Sequence, residues 1–271
     1  MKCTFPTSPT DVCTVVGYNQ VEVAPNNWYL IGAGFADVSG SNISIQKLVT
    51  GLTAEEEYGY APLIQYWDAD QGKLVSAVYT TFSYYFDEND PNAQDGIVFL
   101  GDSWAFKIGD EEGMTCFKTF APGEACWFTI SGTDNQTATF AGAVQADPYK
   151  DVVLSTDWQF VGNPYPVAYN LNDTTKVDCS GLTAQEEYGY APLIQYWDLE
   201  QGKLISVVYT TFSYYFDEDD PNAQDGMVFL GDSWAFKIGE EEGMTCLWEF
   251  APCQGYWATL PMGSGSIRFI R

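Results

Sequence analysis

"LVSAVYTTFSYYF" occupies residues 74–86, and its reading decides the fold. Leu74, Ser76, Val78, Thr80, Phe82, Tyr84 and Phe86 fall on one face of an extended chain. Val75, Ala77, Tyr79, Thr81, Ser83 and Tyr85 fall on the other. β-Branched and aromatic side chains fill the stretch, as pleated, half-buried surfaces favour, so it predicts a long strand. It returns as "LISVVYTTFSYYF" at 204–216, an offset of 130 (204 minus 74).

The repeat extends outward in both directions. "GLTAEEEYGYAPLIQYWD" at 51–68 returns as "GLTAQEEYGYAPLIQYWD" at 181–198, and "GDSWAFKIG" at 101–109 returns at 231–239. Roughly five in six positions are identical over the central block, 51–120 against 181–250. The same offset continues into diverged flanks: Trp28 matches Trp158, Gly32 matches Gly162, and "CWFTI" matches "YWATL". A boundary near residue 147, in "AVQADPYKD", gives two homologous domains, 1–146 and 147–271. "WYLIGAGF", "LIQYWD", "IVFL" and "ACWFTI" read as further short strands, punctuated by Gly, Asn, Asp and Pro. The one helix expected in each copy is "LTAEEEYG", where Thr53 and Glu56, like Thr183 and Glu186, fit a capping box. The expectation is an all-β chain of two tandem β-sandwiches or small β-barrels with one short helix each. A single pseudo-twofold barrel built from both halves is the alternative.

Composition then limits the chemistry. Of 271 residues, 46% are hydrophobic, enough for a substantial core. Eleven Lys and Arg face 37 Asp and Glu, a net charge of −26, which argues against nucleic acid or an anionic membrane surface as partner. Divalent cations and neutral glycans fit better. The absence of His removes Ser-His-Asp and Cys-His catalysis and every His-ligated metal site. No apolar run reaches the roughly 18 residues of a membrane span, and no signal-peptide core is visible, so no membrane insertion is expected. Seven Cys lack any C-x-x-C pair. Cys3 with Cys13, Cys116 with Cys126, and Cys246 with Cys253 are disulfide candidates, leaving Cys179 unpaired or interchain. Seven buried thiols are the other reading.

The acidic loop "FDENDPNAQDG" at 86–96 recurs as "FDEDDPNAQDG" at 216–226. Asp87, Asp90, Asn92 and Asp95, with Asp217, Asp220, Asn222 and Asp225, offer oxygen ligands at a spacing suited to Ca²⁺, the candidate cofactor. The same residues are also ordinary turn formers. Neither Asp37 nor Asp178 sits in an aspartic-protease motif, and no enzyme is expected. Eight Trp recur in pairs, read mainly as core, with Trp248 extra. Tyr79, Tyr85, Tyr209 and Tyr215 are the outward ligand or interface candidates, sharing a face with Thr and Ser. Asn42, Asn135 and Asn172 begin N-x-Ser/Thr sequons.

The motif order resembles tandem β-rich repeat domains of secreted proteins from Verrucomicrobia- and Lentisphaerae-type bacteria. The resemblance rests on Ile31–Phe35, Tyr79–Tyr85, Pro122–Trp127 and Phe140–Val144, and the second copy departs where Pro252-Cys253 replaces Pro-Gly. It implies an extracellular or cell-surface home and no particular activity. The closing strand "SIRFIR" has no continuation after it, and the next molecule's N-terminal segment could supply one. That favours a structural subunit of a head-to-tail filament or surface layer, built from copies of itself through β-strand contacts. A glycan-binding or adhesion module, calcium-dependent or not, is the alternative.

Overall fold

The computed structural model describes residues 2–3, 15–39, 42–68, 70–109, 111–198, 202–238, 241–246 and 249–271. Each copy is built on a five-stranded antiparallel sheet. In spatial order the first comprises Trp28–Gly32, Ala125–Thr129, Leu63–Asp68, Lys73–Thr80 and Ser103–Phe106. The second repeats this with Gln159–Gly162, Gly255–Thr259, Leu193–Asp198, Lys203–Thr210 and Ser233–Phe236. A smaller layer covers one face of each. In the first copy it pairs Val15–Val23 with Gln136–Ala143, and in the second Tyr149–Ser155 with Ser264–Ile270.

The core lies between the layers. Ile64, Tyr66, Ala77, Trp104 and Phe128 of the large sheet meet Val23, Ala138 and Phe140 of the small one. Ile194, Val207, Trp234 and Tyr256 meet Leu154, Ile267 and Phe269 in the same way. The chain is all-β, and its sheets stay open, as sandwiches rather than closed barrels.

Three expectations need correction. The strand read over 74–86 ends at Thr80 and resumes at Tyr84–Phe86, which pairs with Ile97–Phe99. Thr80 Oγ1 accepts the Phe82 amide at 3.2 Å, and Ser83 turns inward to bond the Ser103 hydroxyl. Hydroxyl side chains thus offer the backbone an alternative to the ladder. Second, "LTAEEEYG" is not helical in either copy. The Thr53 amide that a capping box would satisfy donates instead to Gln136 Oε1 at 2.9 Å, and Glu55 bridges to Thr80. Two turns of isolated helix are marginal, so these non-local partners prevail. The helix found among the described residues is Ile45–Leu48, in the first copy. Third, Ser264–Ile270 does not wait for a neighbouring molecule. It is hydrogen-bonded along its length to Tyr149–Ser155 and at one end to Val177–Asp178.

The relation between the copies is a local two-fold, not a translation. Ile31 bridges to Gln254, and the equivalent pair, Val161 and Glu124, bridges likewise. The Gly32 amide donates to Cys253 O at 3.0 Å, and its counterpart Gly162 donates to Gly123 O at 2.7 Å. When residue i meets j and the mate of i meets the mate of j, the operator is two-fold. On the axis, equivalent residues meet each other: Trp127 and Trp257 pack edge-to-face at 5.2 Å. The edge strands 28–32 and 159–162 cross where Gly32 and Gly162 touch, and a Cβ on Gly32 would lie 2.9 Å from Gly162 Cα. Nearby, Ala125 faces its mate Gly255, where a second Cβ would fall 2.8 Å from the first.

Candidate functional site

Because the copies clasp by a two-fold, their junction makes two related grooves. Each has a floor from one copy's edge strand and walls from the other copy's turn, 251–255 in one and 121–125 in the other. The first groove is a cavity of about 420 Å³, the second about 410 Å³. Both fall within the roughly 300–1,000 Å³ of small-molecule sites. Trp197 lines the first and its mate Trp67 the second; each is 49% exposed.

The sequence drift of the flanks makes the grooves chemically different. The first is walled by Trp28, Trp197, Leu30, Val21 and Pro252, with Glu22 and Gln254 as its polar side chains. Trp28 is 41% exposed and held edge-to-face against Trp127 at 5.9 Å. Glu22 Oε1 accepts Asn135 Nδ2 at 2.6 Å, and the Tyr29 hydroxyl accepts the Ala24 amide at 2.8 Å. These contacts fix the groove's rim. The second groove instead carries Lys118, Lys150, Glu124, Asp151 and Gln159.

The residues singled out from sequence lie elsewhere. The acidic loops are organised as turns. Asp87 Oδ1 accepts the Asn89 amide, Asp90 Oδ1 accepts the Asn92 amide, and Asp90 Oδ2 takes the Tyr85 hydroxyl at 3.0 Å. The Asn92 amide and the Tyr85 hydroxyl hold the Asp90 carboxyl below its ordinary value. Asp95 and Gly96 both have positive φ, 52° and 79°, between bridged Gln94 and Ile97. That is the Asp-Gly hairpin turn, a signal present in the sequence that the cation reading passed over. Asp217, Asp220, Asn222 and Asp225 repeat the arrangement, with Asp225 at φ 51°. Among the described residues, no three His, Cys, Asp or Glu side chains converge as a metal site.

Tyr79 and Tyr209 are not outward. They pack on the cores against Trp104 and Trp234, at 5.4 Å in both copies. Burial raises both phenols, Tyr209 to about 12. Tyr85 and Tyr215 serve the acidic loops. The exposed aromatics of this region are Phe82, Phe86 and Phe99, with Phe212, Phe216 and Phe229 in the second copy.

Cys116, Cys126, Cys179, Cys246 and Cys253 are buried and form no disulfide, so the bridges drawn across the two turns are absent. The side chains of Cys3 and Cys13, and Trp248, lie outside the described residues. Cys179 forms no disulfide within the chain: its sulfur accepts the Trp234 indole N–H at 3.3 Å, and burial raises the thiol to about 11. Cys253 takes the left-handed conformation, φ 60°, of the turn position that Gly123 fills in the first copy. Of the recurring Trp, Trp104 and Trp234 are core, Trp127 and Trp257 pack on the two-fold, and Trp28, Trp67, Trp158 and Trp197 are exposed. Asn172, read as a sequon, is a clamp: its amide bonds Trp234 N, Trp234 O and Cys246 O. Gln46 does the same job in the first copy from the helix. No helix among the described residues is long and apolar enough to cross a membrane.

The chain matches no protein-family model, and no curated protein or solved structure is significantly similar to it.

Proposed function

We propose that this chain is an extracellular glycan-binding module that takes a neutral oligosaccharide in the first junction groove, without catalysis. The observation that supports this is a concave cavity flanked by two half-exposed indoles, Trp28 from one copy and Trp197 from the other. Sugar rings present apolar C–H faces to such indoles and hydroxyls to edge groups such as Glu22 and Gln254. A neutral ligand suits a protein of net charge −26, and the absence of His is no handicap to binding. Calorimetric titration with neutral gluco-, manno- and xylo-oligosaccharides tests it. At least one series is expected to bind, and Trp28→Ala or Trp197→Ala to weaken it about tenfold or more, the scale of losing one stacked ring. Silence across all three series would remove the reading.

A second reading, a self-assembling structural subunit, is favoured by one specific feature. Phe82 and Phe99 pack edge-to-face at 5.7 Å on the exposed surface of the first copy, and Phe212 and Phe229 do so at 5.7 Å on the second. Two equivalent sticky patches per molecule would link copies end to end. Strand donation at the C-terminus is not its route, since that strand is paired at home. Sedimentation at millimolar protein, with and without Ca²⁺, separates the readings: a monomer in both conditions leaves only the glycan module.

A further inference from the structure

The second groove has its own chemistry. We propose that it is a distinct binding site for a carboxylate-bearing sugar, an acidic oligosaccharide such as a polyuronate. The proposal does not depend on what fills the first groove.

Three observations converge on it. The first is charge. In a chain of net charge −26, with only eleven Lys and Arg, this one cavity is lined by both Lys118 and Lys150. Its carboxylates are already committed. Asp151 is held by Arg268 in a two-pronged pair at 2.8 and 3.1 Å, which neutralises it. Glu124 Oε2 caps its own turn by accepting the Ala121 amide at 2.9 Å, and lies a long 3.7 Å from Lys118. Among the described residues no carboxylate comes within ion-pairing distance of Lys150. The lining itself carries two cations against two carboxylates, and Arg268 behind it offsets Asp151.

The second is an unsatisfied donor. Gln159 lines this groove, and its Nε2 is buried without a hydrogen-bond partner. Buried amide donors are normally satisfied, and this one gains a ligand acceptor when the Gln159 side chain turns toward the groove that the residue lines. Its mate in the first groove is Tyr29, whose hydroxyl is already engaged by the Ala24 amide. The polarity is thus particular to this groove.

The third is the wall. Trp67 is 49% exposed and lines the cavity, offering a flat face for a pyranose ring. Lysines and an amide donor alone would take any small anion. Combined with an indole wall in a cavity of about 410 Å³, they fit a ring that carries its carboxylate on the edge.

The test uses the full chain and calorimetry at low ionic strength with three probes of similar size: tri-galacturonate, maltotriose and tri-glutamate. Tri-galacturonate is expected to bind, and Lys150→Gln to change the salt dependence of its affinity, because the exchange removes one screened lysine–carboxylate attraction. Lys150→Gln should cost about tenfold or more in affinity, the scale of one charge-assisted hydrogen bond. Gln159→Leu should weaken binding severalfold while leaving the melting temperature equal or higher, because it removes an orphan donor. That separates a binding role from a structural one. Trp28→Ala should leave tri-galacturonate binding unchanged, so failure of the neutral-sugar reading would not disturb this one. Lys118→Met is the second cationic variant, should Lys150→Gln prove poorly folded. No binding of tri-galacturonate overturns the proposal, as does maltotriose binding the Trp28→Ala chain, whose first groove has lost an indole, as tightly as tri-galacturonate does. Equal binding of tri-glutamate overturns the sugar assignment in favour of an acidic peptide. Affinity indifferent to the lysine and glutamine exchanges places the ligand elsewhere.

Discussion

The two copies form an internal mutation series, and single residues show what each exchange does. Trp104 and Trp234 are both fully buried, yet only the second has an acceptor for its indole N–H, in Cys179. In the first copy that position is Val49, and Trp104 Nε1 is left without a partner. Cys179→Val should therefore recreate the orphan and cost about 1–3 kcal/mol, read by urea denaturation. Val49→Cys should recover stability in the same assay. If Cys179→Val is neutral, the thiol is only a space filler. At the acidic loop, Asp95 holds a left-handed φ of 52°. Asp95→Asn should be tolerated, whereas Asp95→Val should cost about 1–2 kcal/mol from steric strain in that region. Equal melting temperatures for the two variants would refute the turn assignment. The Asn172 clamp gives a third outcome. In a glycosylating host Asn172 should stay unmodified, because its side-chain nitrogen is bound to Trp234 O and Cys246 O. Mass spectrometry finding a glycan there would show that the clamp opens.

Among the elements, most strands were legible because alternation and turn residues are local signals. "LIQYWD" and "IVFL" form strands at Leu63–Asp68 and Ile97–Phe99. What was not legible depended on partners far along the chain. The capping-box helix yields to Gln136, and the long strand breaks where Ser83 finds Ser103. The core also trades volume between neighbours invisibly to a position-by-position reading. Cys126 and Phe128 of the first copy become Tyr256 and Ala258 in the second, all four buried. The large ring moves two residues along one face, and total volume is roughly kept. Tyr256 then stacks on Phe250 at 3.8 Å. The crossing of the edge strands is set by Gly32 and Gly162, with backbone against backbone and no flexible atom to yield. Gly32→Val should force the copies apart, costing at least the roughly 1–3 kcal/mol of an overpacked contact. Small-angle scattering should then report a larger radius of gyration with the strand content by circular dichroism retained. An unchanged radius would mean that the junction is not as tight as the contact implies.

For the whole molecule, sequence identity between copies reveals equivalence but not the operator. A translation and a two-fold leave the same repeat, and only the paired contacts at Gly32, Gly162, Gly123 and Cys253 tell them apart. The grooves follow from that operator, so the candidate sites were invisible until the copies were placed. Charge and burial also act on the whole. The buried thiols Cys179 and Cys253 and the half-buried phenol Tyr209 are raised to about 11, 12 and 12, from ordinary values of 9.0, 9.0 and 10.0. Their neutral forms are favoured by folding. That stability is complete below about pH 9 and is lost as pH rises through 11 to 12. A melting temperature that falls across this window is the expected result, and a flat profile to pH 12 would contradict it. The central claim is that the two copies clasp by a two-fold and together build the ligand groove. The most direct measurement is fluorine NMR of the 5-fluorotryptophan-labelled chain, titrated with the neutral oligosaccharide series that binds best. The account predicts that Trp28 and Trp197, one from each copy, shift together with a single dissociation constant while the buried Trp104 and Trp234 stay still. Shifts confined to one copy, or none at either residue, would contradict it.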